Sequence, residues 1–304
     1  MKRIVNIILI TLLLILFLPA ASAQQTPVFS SYNYNTVLLN PAQAGFHQNT
    51  DLVLTTDGYF NSAVDGSPRS FDISVNTLAW SDKVGLAAGI SRDEIGVTNT
   101  TSFFTSYAYK IYFNTDEAGK SAYSSNFISF GLTAGAMLYN ENLTQLGLEN
   151  DPEFQEDINS FTPTVGLGFL YNTESLYTGV SAPNVLNSAF NSKNNTNLKN
   201  VYYGYFGYRF FTGGMEDIVI NPSFLAKYME GAAFQADLNV LVNYKNKVEF
   251  GGGYRTSDTV NLLAGFYVSD KFKIICTYNK SFDNVVIPDT FGLVLNYRLG
   301  RGFE

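Results

Sequence analysis

Along most of the chain, apolar and polar positions alternate with a period of two. This is the signature of strands that turn one face to an apolar medium. Phe234, Ala236, Leu238, Val240, Val242 and Tyr244 share one face, with Gln235, Asp237, Asn239, Leu241 and Asn243 between them. Val248, Phe250, Gly252 and Tyr254 alternate with Glu249, Gly251, Gly253 and Arg255. The same pattern sets Phe272, Ile274, Cys276 and Tyr278 against Lys273, Ile275, Thr277 and Asn279, and Phe291, Leu293, Leu295 and Tyr297 against Gly292, Val294, Asn296 and Arg298. About fourteen such segments are predicted, each near the ~9–11 residues a tilted membrane strand requires. Their spans are 51–60, 70–79, 83–91, 100–113, 127–139, 161–171, 175–181, 201–211, 217–228, 233–244, 247–256, 259–268, 271–280 and 290–299. Helical periodicity is absent beyond the first residues.

Those first residues read as a targeting signal. Lys2 and Arg3 precede an almost wholly apolar run from Ile4 to Leu18, followed by Pro19 and the small-x-small site Ala21-Ser22-Ala23. This is the three-part pattern of a secretory signal peptide cleaved before Gln24. No Cys lies at the junction, so a lipid anchor is not expected. No later run is long enough for a spanning helix, so any membrane crossing falls to strands. The expected organisation is a signal peptide at 1–23, a plug or periplasmic segment at 24–50, and a barrel at 51–304. The alternative for 24–50 is a mobile leader.

Composition sharpens the choice between a soluble β-sandwich and a membrane barrel. Charged residues make up only 15% of the chain, against roughly 25% in an average soluble protein. There are 20 Tyr and 25 Phe, and aromatics often end the strand segments, where membrane barrels carry their girdles. A sandwich would need more charge outside, so an all-β, antiparallel transmembrane barrel is expected. The connections agree in phase. Those after even-numbered strands are mostly tight, whereas those after odd-numbered strands, at 61–69, 92–99, 140–160, 182–200 and 281–289, are longer. Outer-membrane barrels have short periplasmic turns and longer external loops. The stretch 114–126 is too long for a simple periplasmic turn, and 229–232 and 256–258 are short for external loops.

Reactive chemistry is sparse. A net charge of -7, or -9 once the two charges of the signal peptide are removed, argues against nucleic acid as a partner. A single Cys and a single His exclude a disulfide framework and a Cys/His zinc cluster. His47 stands without a Gly-x-Ser-x-Gly elbow anywhere in the chain, so no catalytic residue is assigned. Cys276 falls on an apolar strand face and reads as a buried or lipid-facing side chain. Gly251-Gly252-Gly253 lies within a strand with no helix after it, so it is not a phosphate loop. Loop 140–160 is acidic but lacks EF-hand spacing, and 187–200 is rich in Asn; both read first as solvated loops, with a partner surface as the sharper reading. No cofactor or metal site is predicted.

Short elements, in order, carry a resemblance. After Pro27-Val28-Phe29-Ser30-Ser31-Tyr32 comes Asn40-Pro41-Ala42-Gln43-Ala44-Gly45, and then Asp65-Gly66-Ser67-Pro68. Val84-Gly85-Leu86, Asp93-Glu94-Ile95-Gly96, Tyr107-Ala108-Tyr109-Lys110 and Ser129 to Gly135 follow. Gly166-Leu167-Gly168, Tyr177 to Asn184, Pro222-Ser223, Lys227-Tyr228, Gln235 to Asn239 and Gly253-Tyr254-Arg255 extend the series to the C-terminal third. The ensemble resembles the PorP/SprF family of type IX secretion outer-membrane proteins over essentially the whole mature chain. It departs from the family's pattern in three places: Thr55 to Phe60 where an Arg-x-x-Trp element is common, Tyr278-Asn279 for Tyr-Asp, and Asp289-Thr290-Phe291 for a His-Glu pair.

The resemblance implies a non-enzymatic outer-membrane component of type IX secretion. It would dock or anchor secreted cargo, such as large surface adhesins bearing a C-terminal sorting domain, and link to secretion components on the periplasmic side. The alternative is a passive outer-membrane porin or hydrophobic-substrate transporter, since fold alone does not fix function. Expected partners are outer-membrane lipid, periplasmic secretion components and cargo. A barrel of about fourteen strands is too narrow for a folded adhesin, since wide channels need ~16–18 strands. The residues expected to plug the lumen or touch a partner are Phe29, Tyr32, Asn40, Pro41, Ala42, Gly45, Asp65, Gly66 and Pro68.

Overall fold

A computed structural model describes residues 33–59, 66–79, 82–114, 122–147, 151, 155–186, 199–212, 217–282 and 289–303. Within them, antiparallel strands follow one another around a single closed sheet. In chain order they are β1 (Asp51–Tyr59), β2 (Arg69–Ala79), β3 (Val84–Ile95), β4 (Thr98–Tyr112), β5 (Phe127–Glu141), β6 (Ile158–Asn172) and β7 (Leu176–Ala182). Then come β8 (Val201–Tyr208, continuing as Phe210–Thr212), β9 (Ile218–Met229), β10 (Gln235–Tyr244), β11 (Val248–Arg255), β12 (Thr259–Ser269), β13 (Phe272–Ser281) and β14 (Thr290–Arg298). The two parts of β8 pair successively with β9, Gly207 opposite Ser223 and Phe210 opposite Ile220, so they form one strand interrupted at Arg209. Pairing of β1 with β14, Asp51 opposite Arg298, closes the barrel and leaves no free edge along that seam.

The faces are inverted relative to a soluble protein. On β5, Phe127, Ser129, Gly131 and Thr133 point into the barrel and are buried, while Phe130 and Leu132 are exposed on the outside. On β10, Gln235, Asp237 and Asn239 are buried inside, and Leu238 and Val240 face outward. Exposed apolar side chains over the outer wall form a surface far larger than a soluble monomer tolerates, and a bilayer is the medium that covers it. Aromatics gather near both rims: Tyr109, Phe113, Tyr208 and Phe210 at one end, Phe161, Tyr202, Tyr228 and Tyr254 at the other. These are the two interfacial girdles of a membrane barrel. Cys276 is exposed on the outer face.

Both Asp51 at the start of β1 and Arg298 at the end of β14 lie at the rim carrying the short connections 173–175, 245–247 and 270–271. That rim is periplasmic by the usual asymmetry of loop lengths. The expectation of a longer external loop at 92–99 is corrected. β3 runs to Ile95 and β4 starts at Thr98, leaving only Gly96-Val97 as the connection. Gly96 takes φ +61°, a left-handed conformation that glycine adopts without steric cost and that lets the chain reverse at once. The residues 1–32, including the expected signal peptide, Phe29 and Tyr32, lie outside the described residues.

Candidate functional site: the barrel lumen and its N-terminal segment

Residues 33–50 run inside the periplasmic half of the barrel as two single-turn 3-10 helices, Thr36–Leu38 and Pro41–Gln43. The second is built by its own sequence. Asn40 caps it, its Oδ1 accepting from the Ala42 amide at 2.9 Å, and Pro41 occupies the first position, where a missing N–H costs nothing. The other half of the Asn40 amide reaches the wall. Its Nδ2 donates to the Phe169 carbonyl at 3.0 Å and to the Tyr205 hydroxyl at 2.9 Å. Gln43 donates to the same hydroxyl at 2.8 Å. Asn40, Ala42 and Ala44 are completely buried, and Val37 and Leu39 nearly so.

The wall is cut to receive this backbone. A Cβ built at Gly131 would lie 2.1 Å from the Ala42 nitrogen, one at Gly85 1.9 Å from the Ala44 oxygen, and one at Gly168 1.9 Å from Asn40 Oδ1. Three inward positions on β5, β3 and β6 are therefore vacated so that the segment can lie directly on the strands. Hydrogen bonds hold it there. Ser181 Oγ donates to the Leu39 carbonyl at 2.6 Å, Asn76 Oδ1 accepts from the Gly45 amide at 2.5 Å, and Ser74 Oγ donates to Asn35 Oδ1 at 2.8 Å. The buried Lys110 Nζ donates to the Gly45 carbonyl. At Gly45 the backbone turns with φ +63° and approaches Gly85 so closely that neither residue has room for a side chain.

The periplasmic end is lined by charged and aromatic groups. Arg298 grips Asp51 through Nε at 2.5 Å and Nη2 at 3.1 Å. Lys273 lies 3.7 Å from Glu249, and the Tyr34 hydroxyl donates to Glu249 from the N-terminal segment. Burial and the adjacent Glu249 charge push the Tyr34 phenol well above its ordinary range. Arg209, at the break in β8, donates to the carbonyls of Thr173 and Glu174 and to Asn172, with its guanidinium between the rings of Tyr123 and Tyr177. Tyr123 comes from the long turn 113–126 and also meets the rings of Phe46 and His47. His47 sits among these cations. Burial first, then Arg298, Lys110, Lys273 and Arg209, hold its pKa well below 6.5, so it is neutral here. Further up the lumen, Asp237 receives a bidentate pair from Arg255 at 2.8 Å on both arms, and Thr55 donates to Asp72 at 2.7 Å.

Of the residues singled out from sequence, Asn40, Pro41, Ala42 and Gly45 come together in the lumen. Gly66 and Pro68 lie at the opposite, extracellular end, where the Gly66 carbonyl accepts from the Gly96 amide at 2.8 Å. Asp65 lies outside the described residues. Sequence reasoning missed Tyr205, Lys110, Arg209 and the Tyr34–Glu249 pair, which are separated from their partners by tens to hundreds of residues.

The family model for the Type IX secretion system membrane protein PorP/SprF matches residues 21–294. The chain belongs to the PorP/SprF family. It is thus an outer-membrane component of type IX secretion. No curated protein sequence matches the chain. Among solved structures, it is similar to the outer-membrane protein Omp33 of Acinetobacter baumannii at 8% identity and TM-score 0.47, covering 84% of this chain and all of that one. It is also similar to the toluene transporter TodX of P. putida at 10% identity and TM-score 0.47, covering 87% and 93%. The KdgM porin aligns at 12% identity and TM-score 0.38, covering 82% and 99%. The membrane-barrel reading of this PorP/SprF protein rests on its own strand pairing and outer face.

Proposed function

We propose that this PorP/SprF protein is a non-enzymatic docking component. It would hold or anchor secreted cargo bearing a C-terminal sorting domain, such as large surface adhesins, and link it to periplasmic secretion components. The observation that carries this reading is the lumen partly occupied at its periplasmic half by the chain's own residues 33–50, seated on glycines and flanked by Tyr123 and Arg209. A lumen occupied in this way suits a platform whose rims and loops do the work, not a conduit for a polypeptide. In the same reading residues 24–50 act as the plug after removal of 1–23, and Gly66 and Pro68, with Asp65, belong to the extracellular contact surface. The porin alternative requires an open path, which the seated segment opposes.

Affinity purification of the tagged protein from mildly solubilised outer membranes, read by mass spectrometry, tests the proposal. Recovery of a large protein with a C-terminal sorting domain, or of periplasmic type IX components, is expected. Recovery of the barrel alone, from membranes with an assembled secretion system, would contradict it.

A further inference from the structure

Residues 33–50 cover inward apolar side chains of the wall. Val37 and Ala44 pack with Ala87 and Ala108, Ala42 with Phe127 and Leu170, and Leu39 with Leu225. One patch differs. Phe211 at the end of β8, Val219 directly opposite it on β9, and Leu241 on β10 line the lumen and are only half-buried. Leu241 meets the buried cluster of Val53 and Leu263 on one side and is open on the other. The three residues border a cavity of about 580 Å³, which lies between the seated segment and the wall made by β8 to β14 and reaches the periplasmic rim at Asn246 and Phe303. Cavities of this size hold a drug-sized molecule, and so a few side chains. The interior of a membrane barrel is ordinarily polar, and apolar surface left against water is disfavoured in proportion to its area. The patch therefore calls for an apolar cover.

We propose that residues 24–32 of this chain fold back into the cavity, with Val28 and Phe29 covering Phe211, Val219 and Leu241. The described chain begins at Asn33, which itself lines the cavity, as do Tyr34 and Thr36. Cleavage before Gln24 leaves nine residues ahead of that point. Extended at ~3.3–3.6 Å each they span up to ~30 Å, enough to cross the cavity and bring the α-ammonium of Gln24 out at the periplasmic rim. Residues 24–32 carry no charged side chain, and Pro27, Val28 and Phe29 are apolar in succession. The wall they meet has its charges paired, Asp51 with Arg298 and Glu249 with Lys273 and Tyr34, so a neutral occupant suits it. Tyr34 is already fixed to Glu249, and this tether holds 24–32 at a high local concentration beside the patch. The inference rests on the plug reading of 24–50 and deepens it. The first residues gain a seat of their own on β8 to β10, across the lumen from the glycine seat of 33–50 on β3, β5 and β6.

Photocrosslinking of the full mature protein in outer membranes tests it, with Phe29→p-benzoylphenylalanine placing a reactive aromatic group at the expected anchor. Mass spectrometry should map the crosslink to Phe210–Thr212, Ile218–Met229 or Gln235–Tyr244 of the same chain. Hydrogen exchange of the unmodified protein supplies the second readout. Amides of 26–32 should exchange about tenfold or more slowly than in a free chain. Val219→Trp, which fills the cavity from the wall, should remove that protection while 33–50 keeps its own. Should that variant fail to insert, Phe29→Ser makes the same test from the segment side. A crosslink to β3–β6, to a second copy, to another protein or to lipid, or no crosslink at all, would overturn the inference, as would unprotected 26–32 beside a protected 33–50. Those results leave the seat of 33–50 standing, whereas an unprotected 33–50 would overturn the plug reading itself.

Discussion

Gly131→Ala adds one methyl group where the N-terminal segment lies against β5. Gly131 has ordinary strand backbone, so alanine suits its conformation and the whole cost is spatial. The new Cβ would lie 2.1 Å from the Ala42 nitrogen and 2.3 Å from the Pro41 carbonyl carbon, both backbone atoms that cannot rotate away. Overpacking by a methylene costs ~1–3 kcal/mol, and a clash with backbone belongs at the upper end. Against it stand six neutral hydrogen bonds between Asn35, Asn40, Gln43, Leu39 and Gly45 and the wall, apart from the charged one of Lys110. At ~0.5–1.5 kcal/mol each, these total about 3–9 kcal/mol. The segment should loosen without leaving, and a loss of ~2–3 kcal/mol corresponds to a ~30–200-fold loss of protection. Hydrogen exchange of peptides spanning 33–50, read by mass spectrometry, measures this directly. Gly252→Ala is the control, since its Cβ would meet nothing closer than 3.5 Å on the outer face. Equal protection in Gly131→Ala and Gly252→Ala would refute the close seating of the segment on the wall.

Asn40→Ala removes the cap of the Pro41–Gln43 turn together with two bonds to the wall, and should cost ~1–3 kcal/mol of docking, visible as faster exchange at Ala42 and Gln43. Asp237→Ala strands the Arg255 guanidinium in the lumen and should destabilise the barrel by ~3–5 kcal/mol, lowering the temperature at which its folded gel band disappears; the double change Asp237→Leu/Arg255→Met should recover most of the loss. Because the pKa of His47 is held below 6.5 when the segment is seated, the released segment takes up the proton first. Docking is then unaffected above about pH 7 and weakens as pH falls below ~6.5, by at most ~1.4 kcal/mol per unit, until the seated His47 itself titrates. Exchange of 33–50 measured between pH 7.5 and 5 should show this slope, and His47→Gln should abolish it. In planar bilayers the intact protein should conduct poorly, and deletion of 33–50 should raise the conductance.

The barrel was legible because a bilayer enforces alternation: outward positions such as Leu238 and Val240 must be apolar while Asp237 and Asn239 are buried in a polar interior. The pattern fails where a strand leaves the membrane. From Ser91 to Glu94 both faces of β3 are polar, so the strand continues to Ile95 without a period that sequence could reveal. Likewise β5 runs to Glu141 beyond its expected end at 139. The break in β8 at Arg209 follows from that side chain turning to the mouth, a tertiary demand without a local signal. Asn40-Pro41-Ala42 was visible as a motif, but its seat was not. Gly85, Gly131 and Gly168 lie 40 to 128 residues away from Gly45 and Asn40, and only the barrel's closure brings them to one place. The lumen pairs of Tyr34 with Glu249 and Asp51 with Arg298, separated by 215 and 247 residues, were beyond sequence reasoning for the same reason.

The central claim is that this PorP/SprF protein serves secretion as a docking platform and not as a pore. Deleting its gene and following two readouts in the same cells tests this most directly: surface display of cargo with a C-terminal sorting domain, and entry of small solutes across the outer membrane. The docking account predicts loss of display with unchanged permeability. Intact display with reduced solute entry would contradict it.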